Sequence, residues 1–263
     1  MSKSTLQVLV PVRGDAPFLA AALASLRAQT FTGWQATLCP LDANARDVAM
    51  RAVDGDARMR VTDTVDMAEA GALAYAADTD VSEFLCVLDG DDALEPTAFA
   101  ALLDALAENP AAGMAYSRHV LIDANGRVLG AGPLCELPYS PQGLLLDFMT
   151  GPLRIMRMQA CRDAGGFHST HADAIDYDLC LRLSEVTDVI HVPQVLYRRR
   201  IHPLAPEIAR WAEAIEARYA AFVDAVQRRG LDAQYDHALH IDSWHILQPL
   251  QPLRPFGGAG NWG

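Results

Sequence analysis

The chain of 263 residues is long enough for one large domain, and with 51% hydrophobic and 21% charged residues it has an ordinary globular composition. Its net charge of -12 argues against nucleic acid as a partner, because nucleic-acid binding is carried by basic surface. No apolar run approaches the length of about 18 residues that predicts a transmembrane helix, and the N-terminus lacks the apolar region of a secretory signal. We therefore expect a cytoplasmic protein, with peripheral membrane contact left open.

The acidic residues are concentrated in one part of the chain. Residues 41–110 hold 16 Asp and Glu against 4 Arg, whereas the rest of the chain is balanced. The excess surrounds an apolar run, predicted as a buried strand, that stops at Asp89, Asp91 and Asp92. Ligands bind at the carboxyl edge of open α/β sheets, and crowded carboxylates there favour a divalent cation between them. The alternatives are that Asp92 caps the next helix or that the block is a solvated turn.

The first half of the chain alternates between two kinds of apolar pattern. Short continuous apolar runs predict strands at residues 5–11, 34–40, 59–61, 84–88 and 113–122. Helical spacing predicts helices at residues 17–30, 45–53, 67–77 and 96–107. This alternation predicts an α/β protein with a doubly wound, mostly parallel, Rossmann-like sheet.

The alternation loosens after residue 126. Residues 130–143 read as a long loop, and residues 168–174 as a second stretch of small and polar residues. Between and beyond them we predict a strand at 153–158, a helix opening at Asp176, strands at 188–192 and 195–197, and a long amphipathic helix at 206–229. The tail beyond Leu231 has no assignable function.

Four motifs follow one another in a recognisable order. They are Val10-Pro11-Val12 with the helix after it, the block from Asp89 to Asp92, Gly165-Gly166-Phe167 followed by Asp176 and Leu179, and Tyr197 with Arg200 and His202. On these motifs the chain resembles the family 2 glycosyltransferases of the GT-A fold, over about residues 5–205. The resemblance implies a GT-A glycosyltransferase domain at 1–205 and a C-terminal helix and tail, residues 206–263, packed on it.

The resemblance also implies a role for each matching residue. It implies an enzyme that moves a sugar, of the hexosyltransferase type, from a nucleoside diphosphate sugar to a hydroxyl of a sugar, lipid-linked or protein acceptor, with inversion, in polysaccharide or glycoconjugate synthesis. The implied cofactor is a divalent metal, Mn or Mg, on the diphosphate. The implied site residues are Pro11, Val12, Arg13, Asp42, Asp89 and Gly90 for the nucleotide, Asp91 and His202 for the metal, and Asp176 as the catalytic base.

Several positions depart from the pattern of that family. Leu41 replaces a frequent Asp, Glu69 falls where many members carry Arg, Ile175 replaces a Glu and His168 a common acid. The departures leave open an unusual donor, or a non-catalytic sugar-nucleotide or protein-interaction domain. A nucleotidyltransferase is a further alternative, because it would also place carboxylates and a metal at such a sheet edge. The segments 130–143 and 168–174 are predicted to order over the site when donor binds.

Asp178 is a second candidate for the base. Two helical positions that differ by two point about 200° apart, so only one of the two carboxylates can face the metal site. The motif selects Asp176, and Asp178 is then expected to cap the helix or to pair with an Arg.

Overall fold

The first half of the chain forms the series of strands and helices that its apolar pattern predicts. The computed structural model describes residues 6–168, 170–203, 210–239 and 245–249. The elements up to the acidic block are β1 (Leu6–Val12), α1 (Leu19–Arg27), β2 (Trp34–Pro40), α2 (Ala43–Ala52), β3 (Met59–Val61), α3 (Glu69–Asp78) and β4 (Phe84–Val87). All residues of β1 and β4 are buried, because helices cover both faces of the sheet.

The second half adds shorter strands and the C-terminal helices. Its elements are β5 (Ala93–Leu94), α4 (Ala98–Glu108), β6 (Ala112–Ile122), β7 (Val128–Ala131), α5 (Pro141–Leu146), β8 (Arg154–Arg157), α6 (Met158–Asp163), α7 (Ile175–Val186), β9 (Asp188–Arg200), α8 (Trp211–Arg228), β10 (Tyr235–Leu239) and β11 (His245–Pro249). Within the described ranges, every helix is too short or too polar to traverse a bilayer.

One sheet organises the fold, with strand order β3-β2-β1-β4-β8-β6-β9-β5 and β7 paired to β6. Strands β3, β2, β1, β4, β6 and β9 run in one direction, whereas β8, β7 and β5 run against their neighbours. The prediction of a doubly wound, mostly parallel α/β sheet is confirmed. A separate antiparallel pair, β10 and β11, follows α8.

Alternate residues of β1 divide the core between the two faces of the sheet. Leu6, Val8 and Val10 pack with the buried residues of α1, α2 and α4. Leu9 instead packs in a second cluster with α3, α7 and Phe222 of α8. The strand period of two thus places one apolar layer on each face, and the carboxyl ends of the parallel strands remain as the shared open edge.

Three predicted boundaries or elements are wrong, and a fourth lies partly outside the described residues. The strands predicted at 188–192 and 195–197 are one strand, β9, whose register against β6 shifts between Ser117 and Arg118, so that Pro193 lies in a bulge that needs no ladder hydrogen bond. The loop predicted at 130–143 is shorter, because β7 and α5 occupy its ends. The strand predicted at 153–158 ends at Arg157, where α6 begins. Part of the helix predicted at 206–229 lies outside the described residues, and α8 begins at Trp211.

Candidate functional site

The loops after β1 and β4 lie against each other at the carboxyl edge of the sheet. The peptide N–H of Leu88 donates to the carbonyl oxygen of Leu9 over 2.9 Å, which continues the pairing of these strands. A Cβ atom at Gly90 would lie 3.1 Å from the carbonyl oxygen of Pro11. The absence of a side chain at Gly90 therefore lets the acidic block approach the end of β1.

Asp89 lies at the centre of a group of carboxylates. Its pKa is raised well above the usual range, first by burial and then by the negative charges of Asp92, Asp176, Asp91 and, more weakly, Glu69. The structure thus brings the acidic block on β4 and the carboxylate at the start of α7 to one place. A cation bound among these side chains would relieve their repulsion.

Asp92 holds the acidic block to strand β9. Its Oδ2 accepts a hydrogen bond from the hydroxyl of Tyr197 at 2.6 Å, and its Oδ1 accepts one from the peptide N–H of Arg200 at 2.6 Å. It is 3% exposed, and burial together with Asp91 raises its pKa to about 7. Asp92 is therefore neither in a solvated turn nor the cap of α4, whose N-cap residue is Thr97.

Asp91 and His202 form the pair that fits a divalent metal. The Nε2 atom of His202 lies 2.8 Å from Oδ2 of Asp91, and the ring of Phe18 packs against the imidazole at 5.0 Å between centroids. Within the described residues no group of three or more His, Cys, Asp or Glu side chains is arranged to hold a metal. A carboxylate oxygen and an imidazole nitrogen are ligands that suit Mn and other divalent ions, so this pair could hold one.

Asp42 fixes the loop that follows β1. Its Oδ2 accepts a hydrogen bond from the N–H of Gly14 and its Oδ1 one from the N–H of Ala45, each at 2.8 Å. These two bonds hold the pKa of Asp42 below its usual range. Pro11 and Val12 are buried, so a nucleotide would meet them through the backbone of this loop.

Arg13 extends from the same loop and forms an ion pair with Glu69, the first residue of α3. The side chains are 44% and 21% exposed, respectively. Sequence reasoning named Arg13 as a nucleotide ligand but did not foresee its partner. The sequence did carry a signal for this partner, because residue 69 is a Glu where many members of the family that the chain resembles have an Arg.

Asp176 is the second residue of α7 and pairs with Arg154 on β8. The Arg154 side chain is 4% exposed and also donates to the carbonyl oxygen of Gly151, whereas the Asp176 side chain is 35% exposed. Asp176, the candidate base, is therefore held by a buried cation, whereas its own carboxylate is accessible to solvent. Sequence reasoning missed Arg154, although an Arg inside an otherwise apolar strand is itself a signal for a buried partner.

Asp178 lies on the other side of α7. Its Oδ2 accepts hydrogen bonds from Nε and Nη2 of Arg182, at 3.0 and 2.8 Å, and Nε2 of His168 lies 3.5 Å away. Asp178 is 1% exposed. Asp178 was expected to cap the helix or to pair with an Arg, and it pairs with Arg182. Its carboxylate is therefore not available to a substrate.

No family model matches the sequence. Among curated proteins, the chain is 27% identical over 144 residues to a chondroitin synthase of Escherichia coli, an alignment that covers 55% of this chain and 21% of that protein. The aligned part of the chain therefore spans about a fifth of the length of this relative.

Two solved structures share the fold. A crystal structure of TarS from S. aureus in complex with UDP-GlcNAc is 14% identical, with a TM-score of 0.66 and coverage of 84% of this chain and 66% of that one. The mannosyltransferase PcManGT of Pyrobaculum calidifontis, in complex with GDP-Man and Mn2+, is also 14% identical with a TM-score of 0.66, over 86% and 65% of the two chains.

Proposed function

We propose that this chain, a glycosyltransferase of the GT-A fold similar to family 2, transfers a sugar from a nucleoside diphosphate sugar to an acceptor hydroxyl with inversion. The observation that carries the proposal is the meeting of Asp89 and Asp91, at the end of β4, with the accessible carboxylate of Asp176, at the start of α7. Asp89 and Asp91 suit a cation with its diphosphate, and Asp176 suits the acceptor hydroxyl.

The proposed reaction is a single displacement. The acceptor hydroxyl oxygen forms a bond to the anomeric carbon while the bond from that carbon to the diphosphate oxygen breaks, and its electron pair leaves with the nucleoside diphosphate. Asp176 takes the hydroxyl proton, a contribution on the order of 10² to 10⁴ in rate. The resemblance to family 2, and not the spacing of the carboxylates, favours direct inversion over a route through a covalent intermediate.

The proposed metal ligands are Asp91 and His202, and Mn or Mg is the proposed ion. When bound, the ion would neutralise negative charge on the diphosphate. Asp89 and Gly90 would lie beside the ribose, and Arg13 and Asp42 would border the nucleotide. Asp42 would act through the loop that it fixes, because both of its oxygens already accept backbone hydrogen bonds.

The division into a domain at 1–205 and a C-terminal part at 206–263, and the cytoplasmic location, stay predictions. For the first, Phe222 of α8 is buried in the same cluster as residues of α7, which supports a C-terminal helix packed on the domain. The acceptor is proposed only by class, as a sugar, a lipid-linked sugar or a protein.

The test is a screen of nucleoside diphosphate sugars with the full chain and Mn2+, following release of the nucleoside diphosphate. We expect release from one donor class and its loss in Asp176→Asn. Release of pyrophosphate from a nucleoside triphosphate and a sugar phosphate would instead indicate the nucleotidyltransferase. Donor binding without any turnover across an acceptor panel would indicate a binding domain.

A further inference from the structure

We propose that Arg13 exchanges partners when donor binds, from Glu69 in the free protein to the diphosphate of the donor in the complex. Glu69 is then a residue that positions Arg13 and sets the affinity for the diphosphate. The inference rests on the proposed function and deepens it.

The backbone that carries Arg13 is fixed, whereas its side chain is partly exposed. The N–H of Gly14 is bound to Asp42, and the N–H of Ala16 donates to the carbonyl oxygen of Arg13 over 3.2 Å. The neighbouring Asp15 accepts a hydrogen bond from the amide of Asn44 at 2.6 Å. With 44% of its side chain exposed, Arg13 can turn about this fixed base without disturbing the core.

Glu69 belongs to the acidic face of the site. Burial raises the pKa of Glu69, the charge of Arg13 opposes that rise, and Asp176 and Asp173 add to it. The loop that carries Arg13 lies against the acidic block, because a Cβ at Gly90 would be only 3.1 Å from the carbonyl oxygen of Pro11. A diphosphate that enters this face would meet like charges, so a cation that can turn towards it is needed beside the metal.

The described structure pairs Arg13, Arg154 and Arg210 with carboxylates of this face, Arg210 with Asp173 over 2.8 Å. Arg154 is 4% exposed and bound to both Asp176 and the carbonyl of Gly151, so it cannot reach a ligand without leaving the core. Arg13 lies on the loop beside the acidic block, where Gly90 approaches Pro11, and 44% of its side chain is exposed. Its exposed ion pair contributes little to stability, and a guanidinium binds phosphate oxygens through two parallel hydrogen bonds.

The decisive comparison is made in a Glu69→Gln background, where there is no carboxylate left for Arg13 to neutralise. UDP and GDP are titrated with Mn2+ into the wild type, Glu69→Gln, Arg13→Gln and the double variant. Glu69→Gln should bind the preferred nucleotide 3- to 10-fold more tightly than the wild type, because Arg13 is released and a repulsive charge is removed. The double variant should bind it at least 10-fold more weakly than Glu69→Gln.

Two controls separate the possible outcomes. Uridine and guanosine lack phosphates, so their affinities should be equal in all four proteins. Glu83→Gln breaks the comparable exposed ion pair with Arg157 at the opposite end of β4 and should leave nucleotide affinity unchanged.

Equal affinity in the double variant and Glu69→Gln would show that Arg13 only neutralises Glu69, which overturns the inference while the proposed function stands. A wild type that binds no nucleoside diphosphate with Mn2+ would overturn both.

Discussion

Arg154 and Asp176 form an ion pair in which the cation is buried in strand β8 and the anion reaches the open edge of the sheet. Arg154 is also bound to the carbonyl of Gly151, so its guanidinium is fixed from two sides. The candidate base is thus held in one orientation by a charge that lies beneath it. A consequence is that a substitution at Asp176 affects stability as well as proton transfer, because it removes the counter-charge of a buried cation.

The first prediction concerns this pair. Arg154→Met should lower the free energy of unfolding by about 2 kcal/mol. Removal of one partner from a wholly buried ion pair costs about 3–5 kcal/mol, and the cost is smaller here because Asp176 retains contact with water. Adding Asp176→Asn to Arg154→Met should cost less than it does in the wild type. Urea unfolding of the wild type, the two single variants and the double variant measures the coupling free energy between the two side chains.

Transfer activity, measured in the same four proteins, distinguishes the role of Asp176 in stability from its role in proton transfer. Asp176→Asn should reduce it by on the order of 10² or more under conditions where the variant is folded, and the double variant should recover stability without recovering transfer. Additive stability changes would contradict the pairing, and full transfer by folded Asp176→Asn would contradict its role as base.

The second prediction concerns the metal. Without a cation, the diphosphate would face the charges of Asp89 and Asp91, so UDP or GDP should bind more tightly with Mn2+ than with EDTA. Asp91→Asn and His202→Gln should each reduce this difference by 10-fold or more, as measured by calorimetry. Asp123→Asn removes a carboxylate from the turn between β6 and β7 and serves as the control. Identical affinities in Mn2+ and EDTA would contradict the metal assignment.

The sequence predicted the sheet and the meeting of carboxylates at its edge because both follow from local patterns. Apolar runs define the parallel strands, and Asp89, Asp91 and Asp92 directly follow one of them. The partners of these side chains come from far along the chain, so no local pattern reveals them. The contact of Tyr197 with Asp92 accompanies the pairing of β9 with β5, and the contact of Arg154 with Asp176 joins strand β8 to helix α7.

The third prediction uses the raised pKa of Asp92. An unfolded Asp titrates near 3.8, whereas Asp92 in the folded protein has a pKa of about 7, so the folded state binds more protons between these values. Its contribution to stability is complete below pH 4 and is lost as the pH rises through 7. His119 acts in the opposite sense, because burial lowers its pKa to about 4 and its contribution is lost as the pH falls.

The difference between wild type and Asp92→Asn isolates the carboxyl group. Asn retains hydrogen bonding to Tyr197 and the Arg200 peptide but does not titrate. The stability advantage of the wild type should therefore decline from pH 4 to pH 7 with a slope of up to about 1.4 kcal/mol per unit, measured by urea unfolding without metal. Parallel stability curves for the two proteins would contradict the shifted pKa.

The segment predicted to order over the site is already packed at one point. Cys135 is 1% exposed, and its Sγ lies 3.5 Å from the peptide nitrogen of His119. The His119 ring is buried against the backbone of the segment, and neither ring nitrogen has a hydrogen-bond partner within the described residues. The ordering of residues 130–143 or of residues 168–174 on donor binding stays a prediction, with limited proteolysis in UDP or GDP and Mn2+ as its measurement.

The last prediction tests this packing with two neighbouring glycines. A Cβ atom at Gly132 would lie 2.0 Å from Nε2 of His119, whereas a Cβ at Gly130 would meet nothing within 4 Å. Gly132→Ala should therefore cost about 1–3 kcal/mol of unfolding free energy, and Gly130→Ala should change it by less than about 0.5 kcal/mol. Replacing His119 by Ala in the Gly132→Ala protein should recover part of the loss, because the new methyl group then has space. Equal tolerance of Ala at both glycines would mean that the segment does not rest on His119, and the packing of residues 132–135 on that ring would have to be abandoned.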